Sequence, residues 1–411
     1  MPGTGSTGDI QGQSGHVTAR QRVFIILSFG FVLLGMGVTV PSVTWPSIAA
    51  DFDRSLAELG FITFLYGGGY TVSTLVSGRL TARVGIAKSL IAAGITASLA
   101  LTAMAVSPSW WPFLAATALL GIGGGLTDAA TNTYVAIRRG ARSMGLIHGM
   151  FGIGAIAGPL FVTGLLHVGV SWRVAYAALA IGQLAYAAGL WQFARNVDVP
   201  REPGAQTDHA SLRRSPMLFW SLAVFFAYAG IAAGAGVWAF TFLTAERGVS
   251  DGVSGLIVAA YWGGLTASRL LLGLIGDRFP PETMLRWAST ATIAGFLVFW
   301  WSPTSAVGAA ALVFTGFAHG PVFPLEMLLT PRRFGTGLTA TVVGFEIAAA
   351  NVGGALLPGL FGVAVSQTSL SIIPPLLFVN AVVLWFAIEI LNRKSAERRP
   401  QTQDNTSGTS E

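Results

Sequence analysis

The sequence contains no cysteine, which excludes disulfides and thiolate-held metals and leaves the redox compartment open. It is also poor in charge. Asp, Glu, Lys and Arg supply 10% of the 411 residues against 53% hydrophobic, and the mean hydropathy is +0.64, proportions that exclude a string of soluble domains. Neither a zinc-binding HExxH nor a phosphate-cradling P-loop occurs, so metal and nucleotide chemistry have no visible support and no cofactor is expected. The stretch "GVSDG", Gly248–Gly252, has nucleophile-elbow spacing, but that motif needs a strand before it and a helix after it. Here Ser250 reads better as a helix cap, and no enzyme is expected.

What is abundant is apolar length. From Val23 almost to Leu391, stretches of about 18 residues or more recur with short polar interruptions, the length of a membrane-spanning helix. Punctuation by Pro, Gly and charge predicts an all-α integral membrane protein of about twelve transmembrane helices: 22–45, 56–79, 85–106, 110–137, 142–167, 171–194, 216–245, 251–276, 282–302, 304–330, 335–365 and 369–392. Residues 1–20 read as a disordered tail, 21–194 as a first six-helix bundle, 195–215 as a charged linker, 216–393 as a second bundle and 394–411 as another disordered tail.

The formal charge of +6 and the isoelectric point near 10 do not indicate nucleic acid, because the bases lie between spans. All but four of the 24 Lys and Arg fall on one side: Arg54, Arg173 and Arg247 lie opposite, and Arg269 lies within a span. The positive-inside rule then predicts a multi-pass protein of the plasma (inner) membrane with both termini cytoplasmic. The pair Trp110 and Trp111 fits an interfacial anchor on the opposite side.

The chain also resembles itself. A shift of 195 carries Tyr66, Gly68, Gly69, Ser73, Gly78 and Arg83 onto Tyr261, Gly263, Gly264, Ser268, Gly273 and Arg278. The same shift carries Gly121, Gly125, Arg138, Gly140 and Gly149 onto Gly316, Gly320, Arg333, Gly335 and Gly344, after which a slip of four pairs Pro159 with Pro358. Parallel repeats of this kind put a substrate path at their interface near the bilayer midplane.

At this point the chain resembles the major facilitator superfamily over its whole length outside the tails. The loop signature after the second span reads "GRLTARVGIAK", with Gly78, Arg83, Gly85 and Lys88 in place and Ala82 where the family usually has an acid. Its counterpart "GLIGDRF", Gly273–Phe279, keeps the acid and base as Asp277 and Arg278. The resemblance implies two pseudo-symmetric six-helix bundles that rock about a central site. It also implies gating roles for Arg83, Asp277 and Arg278.

Ionisable groups at membrane depth are the candidates for chemistry. Asp128 precedes Arg138 by ten residues, which puts it roughly 15 Å into a core about 30 Å thick. A charge there survives only against a cavity or a partner, so Asp128 reads as a proton carrier or substrate acceptor, or else as a buried acid tied to a neighbouring helix. Asn132 follows at i+4 and shares its helical face. The run "TDAATNTYVA" resembles the fourth span of the fucose:proton symporter branch; the resemblance implies that Asp128 handles protons or sugar, with Asn132 and Tyr134 on the substrate. That branch carries another acid in its first span, where "LLGMGVTVPSVTW" has none.

Glu346 lies 13 residues past Arg333, about 20 Å along its helix, and reads as a second proton group or as the partner of Arg269. His148 and His319 are either direct participants or interhelical hydrogen-bond donors, and the same choice holds for Asn351. Glu326 and Glu389 read as boundary charges paired with nearby bases. "GMFGIGAIAGP", Gly149–Pro159, resembles the fifth-span motif of drug:proton exporters. The expected protein is therefore a monomeric, proton-coupled secondary transporter of a small organic solute, possibly sugar-like, in a lipid bilayer. Proton-coupled efflux of a drug or sugar is the alternative. A non-transporting receptor or intramembrane enzyme is the alternative of another class.

Overall fold

The computed structural model describes residues 8–193, 197, 212 and 214–397. The expected tail residues 1–7 and 398–411, and most of the expected linker, lie outside the described residues. Among the described residues the chain is helical: α1 Gly8–Asp51, α2 Leu59–Val84, α3 Ile86–Ala105, α4 Trp110–Arg138, α5 Ala141–His167, α6 Trp172–Gln192, α7 Pro216–Thr241, α8 Asp251–Ile275, α9 Pro281–Trp301, α10 Ser305–His319, α11 Val322–Phe334, α12 Thr336–Gln367 and α13 Ile373–Glu397. Helix α1 starts at Gly8, inside the stretch expected to be a tail.

Helices α10 and α11 are one span, Ser305–Phe334, interrupted at Gly320 and Pro321, where proline has no N–H to continue the ladder. The result is twelve membrane-length segments, of which eleven pass on length and hydropathy together. The exception is α9, which begins with Glu282 and Arg286.

The connections on the base-rich side are short because glycine makes them so. A single residue, Gly85, links α2 to α3 with φ 90° and ψ 161°, a conformation essentially confined to glycine. Gly335, with φ 80°, does the same between α11 and α12.

The chain forms two compact units. The first comprises Met1–Ala205 together with Arg269–Gly276 and Phe334–Ala348; the second comprises Gln206–Ser268, Asp277–Arg333 and Ala349–Glu411. The last turns of α8 and the first turns of α12 therefore pack with the first unit. They do so through small residues: a Cβ on Gly145 would stand 2.7 Å from the Arg269 carbonyl oxygen, and one on Gly78 would stand 2.7 Å from the Thr341 nitrogen.

The internal repeat is a pair of helix crossings. In the first unit a Cβ on Gly121 would collide with the Tyr66 carbonyl oxygen. In the second unit a Cβ on Gly316 would collide with that of Tyr261, the residues that the 195-residue shift pairs with them. Gly154 against Val32 and Gly353 against Phe226 form a second such crossing, in which the shift after its slip of four relates the two glycines but not their partners. What is repeated in sequence is thus the set of positions where two backbones nearly touch.

The three arginines on the wrong side for topology each have a local partner. Arg173 donates to the carbonyls of Ala105 (3.1 Å) and Ser107 (2.8 Å) at the end of α3. Arg247 donates to Ser302 at the end of α9 (3.1 Å), and Arg54 to Phe52 (3.2 Å). A cation satisfying the last carbonyls of a helix compensates its dipole. Beside Arg173, Trp45, Phe52, Trp110, Phe113, Trp172 and Tyr176 form one aromatic cluster. This corrects the expectation of a Trp–Trp interfacial anchor: Trp110 is 4% exposed and belongs to the core, and only Trp111, at 73%, faces outward.

Candidate functional site

Helix α4 is mostly glycine, alanine and threonine from Gly121 to Thr133 and, Ile122 apart, is buried along that stretch, so its neighbours approach closely and its one acid is enclosed. Asp128 is 7% exposed, and both of its carboxylate oxygens are engaged. Tyr70, on α2, donates to Oδ2 at 2.6 Å. Asn132, one turn further along α4, donates from Nδ2 to Oδ1 at 2.7 Å and to the Asp128 backbone oxygen at 3.0 Å. The two bonds to the carboxyl oxygens are short, and a hydrogen bond to a charged group is worth about 1.5–3 kcal/mol.

The chain continues into α5. His148 Nε2 lies 3.1 Å from Asn132 Oδ1. Because the Asn132 nitrogen already donates to Asp128, its oxygen is the acceptor, and His148 must carry its hydrogen on Nε2. The ring packs edge-on against Phe31 at 5.5 Å, which joins α1 to the same group. Arg269, from the part of α8 that belongs to the first unit, is 8% exposed and interacts electrostatically with both Asp128 and His148.

Of the residues singled out in the sequence, the structure therefore gathers Asp128, Asn132, His148 and Arg269. Glu346 is in the same unit and 1% exposed. Tyr134 is buried, but six residues of helix turn it roughly 120° round α4 from Asp128. His319 and Asn351 belong to the second unit. There His319 stacks on Tyr228 at 4.2 Å and meets its backbone oxygen at 3.0 Å, while Asn351 is half-buried. Arg83, Asp277 and Arg278 are exposed at helix ends.

Two acids read as boundary charges have base partners. Glu389 takes a two-pronged bond from Arg286 (2.7 and 3.1 Å). Glu326 pairs with Arg333, which also donates to Asn392 at 2.9 Å. Glu326 is fully buried in the protein.

Sequence reasoning missed Tyr70. A signal was present: the 195-residue shift sets Tyr70 against Leu265, Asp128 against Phe323, Asn132 against Met327 and His148 against Val343. The linked polar residues stand where the halves differ, inside a frame where they agree.

Comparison with known proteins agrees with this architecture. The chain is 23% identical to Bypass of stop codon protein 6 of Saccharomyces cerevisiae, over 87% of this chain and 80% of that one. It is 20% identical to the glucose/mannose transporter GlcP of Bacillus subtilis, over 92% and 96%, and 25% identical to a putative glucose/galactose transporter of Helicobacter pylori, over 81% and 86%. Among solved structures, the E. coli fucose:proton symporter FucP superimposes with a TM-score of 0.71 at 15% identity, covering 90% of this chain and 98% of that one. The proton:xylose symporter XylE gives 0.73 at 14%, covering 91% and 96%. The model of the Major Facilitator Superfamily matches residues 27–358 and 243–408; with twelve membrane-length helices and the doubled helix crossings already in place, the chain belongs to that superfamily.

Proposed function

We propose that this protein moves a hexose-like solute across the membrane together with protons, with Asp128 as the proton carrier. As a superfamily member it is a transporter and not an enzyme; the substrate class and the coupling are the proposal. The observation that carries it is the unbroken hydrogen-bonded line Tyr70–Asp128–Asn132–His148 across three helices. An ionised Asp128 accepts from Tyr70 and from the Asn132 amide nitrogen. A protonated Asp128 is itself a donor, so the Asn132 amide turns its oxygen to Asp128 and its nitrogen to His148, whose ring then carries its hydrogen on Nδ1 and accepts at Nε2. One proton thus reverses the direction of donation from Asp128 through Asn132 to His148, with Tyr70 still donating to Oδ2, and alters what Asn132 and His148 offer a solute hydroxyl. The relatives described as glucose/mannose and glucose/galactose transporters support a hexose as the solute.

The test is uptake of D-glucose into proteoliposomes. Asp128→Asn is expected to abolish accumulation driven by a pH gradient while glucose exchange persists; gradient-driven accumulation in that variant at the wild-type level removes Asp128 from the coupling. A panel of sugars screened for thermal stabilisation of the detergent-purified protein identifies the solute, since a ligand that binds only the folded form raises its stability.

A second reading is efflux. Chain segments are 24% identical to a chloramphenicol resistance protein of Pseudomonas aeruginosa and 30% identical to the class C tetracycline resistance protein of E. coli, over 64% and 38% of this chain. Cells lacking the protein would then become more sensitive to a toxic compound and would still grow on sugar.

A further inference from the structure

Tyr186, on α6, is among the largest fully buried side chains of the protein. Two glycines on two other helices make room for its ring. A Cβ on Gly30, in α1, would stand 2.5 Å from Tyr186 Cε2, and one on Gly94, in α3, would stand 2.9 Å from Cδ1. Beyond that slot the hydroxyl interacts with the Thr131 side chain of α4, and no third group hydrogen-bonds to either oxygen among the described residues. One side chain therefore touches α1, α3 and α4 at once.

Two of those contacts fall beside the site. Thr131 precedes Asn132, and Gly30 precedes Phe31, whose ring meets His148 edge-on. The 3.1 Å bond between Asn132 and His148 thus has α4 on one side and, through Phe31, α1 on the other, and Tyr186 lies against both helices one residue away. A close-packed interior yields little and passes strain on, so a ring that spaces Gly30 from Thr131 also spaces Phe31 from Asn132. The slot lies outside the repeated frame. The 195-residue shift sets Gly30 against Phe225 and Gly94 against Ser289, so its glycines, like Tyr70, Asp128, Asn132 and His148, stand where the halves differ. A slot that served only to pack a six-helix bundle would have no reason to keep to the half that carries the site.

We infer that Tyr186 is a positioning residue for the proton site: its ring is a wedge that holds α1 and α4 at the separation at which His148 meets Asn132. Through Asn132 it sets how tightly Asp128 binds a proton. The inference rests on Asp128 being the proton carrier.

The test reads the pH at which Asp128 is half protonated, from its carboxylic-acid infrared band in the reconstituted protein, together with the melting temperature. The band is identified by its loss in Asp128→Asn. Tyr186→Leu removes the wedge and Gly30→Ala pushes on it; each is expected to move the half-protonation pH by about half a unit or more, about a threefold change in proton affinity. Tyr186→Phe keeps the ring and is expected to keep the wild-type value. In the double variant the smaller leucine leaves room for the added methyl, so its value should lie closer to wild type than that of either single variant, the non-additivity of residues in contact. Should Gly30→Ala not fold, Tyr186→Leu against Tyr186→Phe carries the same comparison. A core role alone lowers melting temperatures and leaves the half-protonation pH where it was. That outcome overturns the wedge and leaves Asp128 as carrier. So does a Tyr186→Phe value displaced as far as that of Tyr186→Leu, or a double variant no closer to wild type than the single ones. Absence of any band lost in Asp128→Asn overturns the carrier and, with it, the role of Tyr186.

Discussion

At the scale of single residues, an acid placed in the middle of an apolar helix obliges the rest of the molecule to answer it. Asp128, Asn132 and His148 were legible in the sequence because polar side chains at i and i+4, and a histidine on the next span, stand out against glycine and alanine. Tyr70 was not, because an aromatic residue in a membrane helix reads as lipid-facing or core and its hydroxyl is invisible to hydropathy. Only three-dimensional packing brings α2 within 2.6 Å of the Asp128 carboxylate. The loss of that bond is measurable. Tyr70→Phe keeps the ring and removes the donor, leaving Oδ2 of a buried carboxylate without its shorter partner, at a cost of about 1.5–3 kcal/mol. Gradient-driven uptake is expected to fall by about tenfold or more, with the protein still folded; uptake at the wild-type rate would separate Tyr70 from the working site.

At the scale of elements, glycine sets the distances. Apart from the first, which falls short of α1 at both ends, the segments expected between Arg22 and Asn392 match the helical spans to within a few residues, because hydropathy and the positions of Gly, Pro and charge report directly on which stretches can lie in lipid. The interruption at Gly320 and Pro321 escaped detection, since proline inside a membrane span is often accommodated, as it is at Pro159 and Pro358. The repeat was legible as recurring glycines but its meaning was not: no sequence says which glycine faces a backbone and which faces nothing. Gly121 faces the Tyr66 carbonyl, whereas a Cβ on Gly67 would meet nothing within 4 Å. Gly121→Ala is therefore expected to force α2 from α4 at a cost of about 1–3 kcal/mol, seen as a lower melting temperature in detergent. Gly67→Ala on α2 should melt no lower than wild type, as it adds helix propensity without a clash. Equal melting of the two variants would mean that the crossing yields easily and that these glycines have another cause.

At the scale of the whole molecule, orientation follows from where the bases are, and the few that break the pattern have local work. Arg173 and Arg247 bind the terminal carbonyls of α3 and α9, and Arg54 binds the Phe52 carbonyl, so each is retained for a structural contact and three bases do not outweigh the rest. If the positive-inside rule governs this chain, both termini are cytoplasmic. The absence of cysteine makes that easy to examine, since any introduced thiol is the sole one. Ser109 is exposed between α3 and α4, and Ala396 is exposed near the end of α13. A membrane-impermeant maleimide applied to intact cells is expected to label Ser109→Cys and to spare Ala396→Cys until the cells are opened. Adding Arg173→Ala to the Ser109→Cys chain should lower its melting temperature, through the carbonyls left bare at the end of α3, without changing which side is labelled. Labelling of Ala396→Cys in intact cells would reverse the expected orientation.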